Sequence, residues 1–304
     1  MIPADETFDG TWPFQAHFCT ASGFRQHYID EGPPGAETVI LLHGEPTWGY
    51  LYRNMIPALA RRYRVVVPDH MGFGKSETPA DRDYTLQTHV ENLERLIESL
   101  ALDQLTLVGQ DWGGPIAGAL TARNPEKIKR LFLMNTVLGY GGGKAAGGKT
   151  PWFQWIEKHA EAGTLEGILG ELGSTVLSVM KIIGFQNSAV VTDTWIRAYA
   201  APFPDRASCV GALNFPLDIH EGRFLPFVLD TLKNGDIEAM RSKPAMLVSG
   251  DMDYAIAKDH AVSDFRGLFP TAPIVDVEGV GHFCQEDIPD TLTSLIDGFI
   301  QANP

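Results

Sequence analysis

Apolar positions along this chain follow two alternating rhythms. Short runs are apolar almost throughout: Thr38-Val-Ile-Leu-Leu42, Arg64-Val-Val-Val-Pro68, Leu105-Thr-Leu-Val-Gly109, Arg130–Met134 and Pro244-Ala-Met-Leu-Val-Ser249. Such runs mark strands buried on both faces. Between them lie stretches with helical spacing. In Tyr84–Leu100, residues Leu86, Val90, Leu93 and Ile97 form one stripe, so one side of that helix faces a core. Helices are also expected at Leu51–Arg62, Gly113–Arg123, Leu225–Leu232, His260–Leu268 and near Thr291–Ile300, with a further strand at Ile274–Val277. This alternation predicts an α/β fold with a mostly parallel central sheet covered by helices on both faces. Nearer the start, Phe24-Arg-Gln-His-Tyr-Ile-Asp30 alternates as a half-buried strand does, and Pro33-Pro34-Gly35 turns the chain. Residues 24–31 and 37–43 are therefore expected to frame a hairpin.

The pattern breaks at Gly139. Residues 139–148 are glycine-rich with Lys and Ala, which predicts a flexible connector. From Pro151 to about Asn214 only helical spacing follows, at Trp152–Ala162, Leu165–Ile183 and Asp193–Tyr199. The organisation expected is a core of residues 1–138 and 216–304 with a helical cap, 139–215, inserted between its halves.

Composition narrows the partners. At 304 residues with 44% hydrophobic and 20% charged positions, the chain suits one large domain with an insert and a sizeable core. A net charge of −14 disfavours nucleic acid and anionic membrane surfaces. No apolar run approaches the ~18 residues of a transmembrane helix, and the acidic start Met1-Ile-Pro-Ala-Asp-Glu6 has no apolar signal region. A cytoplasmic monomer is expected. Cys19, Cys209 and Cys284 are widely spaced and form no CxxC, which argues against a disulfide framework or zinc site. No metal or organic cofactor is expected.

The chemistry centres on Leu105-Thr-Leu-Val-Gly-Gln-Asp-Trp-Gly-Gly114. A buried strand, a Gly-x-Asp-x-Gly turn and a helix make a nucleophile elbow with Asp111 where esterases of this kind carry Ser. An Asp at a strand–helix junction is most often an N-cap, but the flanking glycines favour the elbow. Two more groups stand at strand ends: Asp253, three residues after Gly250, and His282 in the glycine-flanked loop Gly281-His-Phe-Cys-Gln-Glu286. Nucleophile, acid, then His is the chain order of α/β-hydrolases. Asp251 competes for the acid role; Asp253 is preferred because the turn needs residues before its side chain can face His282. His43 is expected to brace its loop rather than act. A carboxylate nucleophile attacks an sp³ carbon and forms an alkyl ester. His282 would then activate water for the second step, with the backbone N–H groups of Glu45 and Trp112 as oxyanion donors. An indole N–H donates without accepting and so suits a departing halide. Trp112 sits beside the nucleophile, and Trp152 and Trp155 open the cap.

Taken together, His43-Gly-Glu-Pro-Thr-Trp-Gly-Tyr-Leu-Tyr-Arg53, Gly72-Phe-Gly-Lys-Ser76, Gln110-Asp-Trp-Gly-Gly114, Tyr199-Ala-Ala-Pro-Phe-Pro-Asp205 and Gly281–Glu286 resemble the haloalkane dehalogenases of the α/β-hydrolase superfamily. The similarity spans nearly the whole chain and is nearest the subfamily with two halide-binding tryptophans. That resemblance implies Asp111 as nucleophile, His282 as base, Asp253 as its acid partner and Trp112 as first halide donor. It implies Trp155 as the second, preferred over Trp152 because the family's second tryptophan follows an aromatic by three residues. The implied partners are a halogenated alkane, water and halide. Glu45 replaces the halide-binding Asn of other subfamilies and is expected to hold water or position the loop. The Leu165–Ile183 part of the cap departs from the family. Two other functions stand beside this one: epoxide hydrolysis with Tyr199 as ring-opening acid, and a non-catalytic small-molecule receptor on the same fold.

Overall fold

The computed structural model describes residues 2–142 and 148–304. Eight strands form its sheet: β1 (His17–Cys19), β2 (Gln26–Glu31), β3 (Thr38–Leu42), β4 (Arg64–Pro68), β5 (Leu105–Gln110), β6 (Ile128–Met134), β7 (Ala245–Met252) and β8 (Ile274–Gly281). Their spatial order is β1-β2-β4-β3-β5-β6-β7-β8. The six strands from β3 to β8 run parallel, and among the described strands only β2 runs against them, since β1 is antiparallel to β2 in turn. Every residue of β3 and of β5 is buried, as their unbroken apolar runs require when helices cover both faces.

The expected hairpin does not form. β2 pairs antiparallel with β4, matching Ile29 to Val67 and Asp30 to Val66, so β4 lies between β2 and β3. The reason is burial. β3 is wholly apolar and takes parallel apolar neighbours on each side, β4 and β5. β2 ends in the less buried Asp30 and Glu31, which suit a place near the sheet edge, where Asp30 meets Arg64 at 2.6 Å. The helix expected over Leu51–Arg62 shrinks to a 3₁₀ turn at Gly49–Tyr52 and one turn at Ile56–Leu59. Pro57 has no N–H to extend a helix, and Tyr52 is held by donating to the Leu42 carbonyl at 2.8 Å.

Chain order and spatial order part company around β3. Its neighbours are β4 on one side and β5 on the other, which makes the carboxyl ends of β3 and β5 the switch point where open α/β sheets bind ligands. Pairing of Leu42 with Gly109 brings the loops that begin at His43 and Asp111 side by side.

Between β6 and β7 the described residues form helices and turns and no strand. The helices there are Pro151–Glu161, Glu166–Leu169, Leu172–Ile183, Asp193–Ala200, Val210–His220, Leu225–Asn234 and Ile237–Arg241. The single helix expected at Leu165–Ile183 is two, separated at Gly170. Val210–His220, which keeps Pro216 inside it, has no counterpart in the sequence pattern and runs across the expected 215/216 boundary. The last two helices pack on the helix Gly113–Arg123, so they cover the sheet. Of the expected 139–148 connector, residues 143–147 lie outside the described residues.

Candidate active site

Asp111 stands at the apex between β5 and the helix Gly113–Arg123. Its φ of +51° is a left-handed conformation that non-glycine residues adopt at a cost of about 1–3 kcal/mol. Surrounding packing enforces it. A Cβ on Gly113 would strike the Leu42 carbonyl, and one on Gly44 would strike the Asp111 carboxylate itself. Thr136 ties down the turn by donating from Oγ1 to the Asp111 carbonyl at 2.5 Å. The carboxylate is thus lifted out of the strand and partly exposed. Its Oδ1 accepts the Glu45 backbone N–H at 2.8 Å, which leaves Oδ2 facing His282. The Trp112 N–H makes no hydrogen bond to this carboxylate; an oxyanion donor aims where charge develops, not at the resting oxygen.

His282, at the end of β8 and fully buried, faces Asp111 and Asp253 at once. Its Nδ1 lies 3.0 and 2.9 Å from the two Asp253 oxygens, and its Nε2 lies 3.3 Å from Asp111 Oδ2. The Nε2 contact has ion-pair length without hydrogen-bond direction, so charge carries that coupling. Burial pulls the His282 pKa down, but the Asp253 charge and hydrogen bond and the Asp111 charge outweigh it and raise the pKa to about 10. Asp253 is held by accepting the Ala255 and Ile256 N–H groups at 2.8 and 2.9 Å. Asp251 takes the Gly279 N–H instead, at 2.6 Å, so it is Asp253 that meets the imidazole.

The sequence reading missed Asn135. In a left-handed conformation at φ +44°, it accepts the Gly250 N–H at 2.7 Å and donates to the Gly281 carbonyl at 2.6 Å. It therefore stitches the acid strand to the base strand. The available signal was a polar residue directly after the apolar run of β6.

Above Asp111 is a chamber of about 50 Å³ lined by Glu45, Trp112, Trp152, Phe153, Pro216 and Ile256, among others. It adjoins an outer cavity of about 370 Å³, mostly apolar, which shares Trp112, Phe153 and Ile219 with it. A larger groove of about 610 Å³ at the opposite end of β7 and β8 contains none of these groups. Trp112 is stacked on Phe215, with ring centroids 4.5 Å apart and planes 16° apart. Among the described residues, the indole N–H groups of Trp112 and Trp152 have no protein acceptor.

Trp155 does not line this chamber. It stacks on Trp152, with centroids 5.2 Å apart, and meets His159 at a tilt of 46°. Thr150 caps this helix by accepting the Phe153 backbone N–H, and the Trp152 backbone N–H donates to the Tyr254 carbonyl at 3.0 Å. Those anchors bring the first turn, and so Trp152, against the core at 4% exposure, while Trp155, one turn on, stays only partly buried.

Glu45 lines the chamber, yet both carboxyl oxygens are buried without a hydrogen-bond partner. Burial, and then the Asp111 charge, push its pKa well above the usual carboxylate range, which favours its neutral form. His43 braces its loop: its Nε2 accepts the His70 backbone N–H at 3.0 Å. Burial holds both imidazoles below their ordinary pKa, as neutral side chains. Tyr199 is fully buried and donates to Glu286 at 2.5 Å, and Glu286 also takes both Arg53 nitrogens at 2.5 and 2.9 Å. That phenol is spent on a buried ion pair and lines neither cavity, so it cannot open an epoxide ring at Asp111. Tyr140 also lines neither.

No group of three or more His, Cys, Asp or Glu among the described residues is placed to hold a metal ion, and no described helix is long and apolar enough to cross a membrane.

The α/β hydrolase fold family matches residues 37–289 of this chain. A haloalkane dehalogenase from Psychrobacter cryohalolentis is 37% identical over 290 residues, covering 93% of this chain and 89% of the relative. A cis-3-alkyl-4-alkyloxetan-2-one decarboxylase from Shewanella oneidensis is 33% identical over 301 residues, covering 96% and 90%. A solved tetrameric haloalkane dehalogenase from Paraglaciecola agarilytica superposes with a TM-score of 0.73 at 30% identity, covering 94% of this chain and 92% of that one. With an aspartate rather than a serine on its elbow, the chain belongs to the haloalkane dehalogenases of the α/β-hydrolase fold family.

Proposed function

We propose that this protein hydrolyses a carbon–halogen bond of a haloalkane to a primary alcohol, halide and a proton through a covalent ester on Asp111. One observation carries the reading. An elbow carboxylate, one oxygen already engaged by the Glu45 N–H, faces a small chamber lined by two tryptophans with free indole N–H groups. Asp111 Oδ2 attacks the halogenated carbon, the carbon–halogen bond breaks, and the halide leaves into the donors of Trp112 and Trp152. Those donors stabilise charge that appears only as the bond breaks. Trp152 replaces Trp155 in this role because it is the one that reaches the chamber.

The second step belongs to His282. Ester formation abolishes the Asp111 charge, so the imidazole loses one of the groups that hold its proton. Neutral His282, oriented by Asp253, takes a proton from water as that water attacks the Asp111 carboxyl carbon. The oxyanion forms on Oδ1, within reach of the Glu45 N–H, with the Trp112 N–H as second donor. Collapse releases the alcohol and restores the carboxylate. The helices from Pro151 to about Asn214 act as a cap that closes the chamber and keeps bulk water from the ester.

The test is bromide release from 1-bromobutane or 1,2-dibromoethane, with styrene oxide and a cis-3,4-dialkyloxetan-2-one as competing substrates. Bromide at buffer level, alongside turnover of either competitor, overturns the reading. A His282→Phe variant is expected to release one equivalent of bromide and stall, with Asp111 heavier by one butyl group in mass spectrometry.

A further inference from the structure

We propose that Asp287 is a positioning residue that latches the cap to the loop carrying His282, making cap seating and base placement a single event. The inference rests on the two-step reading above. Asp287 ends the one-turn helix Cys284–Asp287, which begins two residues after His282. Its carboxylate faces two ways. Oδ2 accepts the Gly281 N–H at 2.7 Å, one residue before the base. Oδ1 accepts the N–H groups of Gln186 and Asn187 at 3.2 and 2.8 Å, from the cap segment that follows the helix Leu172–Ile183.

The same cap segment leans directly on the catalytic loops. The Gly184 carbonyl accepts the Phe283 N–H at 3.3 Å, and the Ile183 carbonyl accepts the Tyr254 N–H at 3.1 Å, next to Asp253. Gly184 has φ +126°, and a Cβ there would sit 2.9 Å from the Met252 carbonyl oxygen and 3.2 Å from the His282 backbone nitrogen. The chain turns tightly at that point because glycine takes that backbone conformation and lets it approach the main chain of the base loop so closely. Asn187 adds a side-chain bond to the Glu286 carbonyl at 3.2 Å. The cap segment after Leu172–Ile183 therefore ends on the base loop, and among the described residues the Asp287 carboxylate bonds both.

Alkylation needs Asp111 and the halide donors but not His282 as a base; ester hydrolysis needs His282 in place. Loosening the latch therefore slows the second step selectively, since small misplacements of a catalytic group cost rate steeply. Asp287→Asn keeps one acceptor oxygen and presents N–H to the other side. Asn187→Pro removes the shorter cap bond while leaving Asp287 bonded to Gly281, and its native φ of −76° suits proline.

Both variants are tested by rapid quench with 1-bromobutane and by hydrogen–deuterium exchange without substrate. The expected result is an unchanged bromide burst, hydrolysis slower by about tenfold, and faster exchange across residues 279–287. Asn187→Pro with wild-type hydrolysis and wild-type exchange overturns the latch, as does equal slowing of both steps. If the wild-type protein itself releases no bromide, the dehalogenase reading fails, and exchange alone decides whether the cap holds the base loop.

Discussion

The proton that His282 carries between two carboxylates should leave in the first chemical step. In the resting protein, Asp253 and Asp111 together hold the imidazole pKa at about 10, so His282 is an imidazolium at neutral pH. Converting Asp111 to an ester removes a full negative charge 3.3 Å from Nε2. At an effective dielectric of about 20, that attraction is worth about 5 kcal/mol, or more than 10³-fold in proton affinity. The loss carries the imidazole back toward its ordinary range, and the proton passes to solvent as the ester forms. Stopped-flow mixing with 1-bromobutane at pH 8 in weak buffer, with a pH indicator, should show one equivalent of acid in the same phase as halide release. His282→Phe should keep the halide burst and lose the acid burst. Acid that appears only in the slower hydrolytic phase would refute this account, because His282 would then be neutral from the start. The ordering has a chemical consequence: the base becomes able to accept a proton only once there is an ester to hydrolyse.

Other consequences follow from the same contacts. Because the folded pKa of His282 is raised from 6.5 to about 10, its stabilisation is fully present below about pH 6.5 and is lost as pH rises through about 10. The thermal midpoint should fall across that window, and the fall should be absent in His282→Gln. Trp152→Phe should raise the bromide product-inhibition constant about tenfold or more, as expected for a hydrogen bond to a charged group. Trp155→Phe should change that constant less than about threefold, and the reverse ranking would return the donor role to Trp155. Arg53→Met leaves Glu286 charged, buried and without its guanidinium, at a cost of about 3–5 kcal/mol in chemical denaturation. Tyr199→Phe should cost about 1–3 kcal/mol and leave bromide release in place.

The elbow at Asp111, the placing of Asp253 and His282 at later strand ends, and the parallel sheet could all be read from local pattern. Gly109, Gly113 and Gly114 around Asp111 announce a turn that only a close strand–helix approach requires, and a wholly apolar run such as Thr38–Leu42 announces a strand buried on both faces. These signals are short-range: backbone sterics and hydrophobic periodicity act over a few residues. Strand neighbours are not short-range. Whether β2 lies beside β3 or β4 depends on which pairing buries the most apolar surface in the whole sheet, and nothing between residues 24 and 43 encodes that. Which of the two cap tryptophans lines the chamber was not legible for a related reason. Trp152 and Trp155 sit one turn apart on the same helix, and their spacing cannot tell which faces the chamber. Contacts from distant residues decide it, with Tyr254 holding the first turn to the core. The proton on His282, the raised pKa of Glu45 and the commitment of Tyr199 to Glu286 are likewise tertiary outcomes. Each depends on how much water burial removes and which charge folding brings within a few ångströms, and residues up to 171 positions apart in the chain, as Asp111 and His282 are, supply that charge.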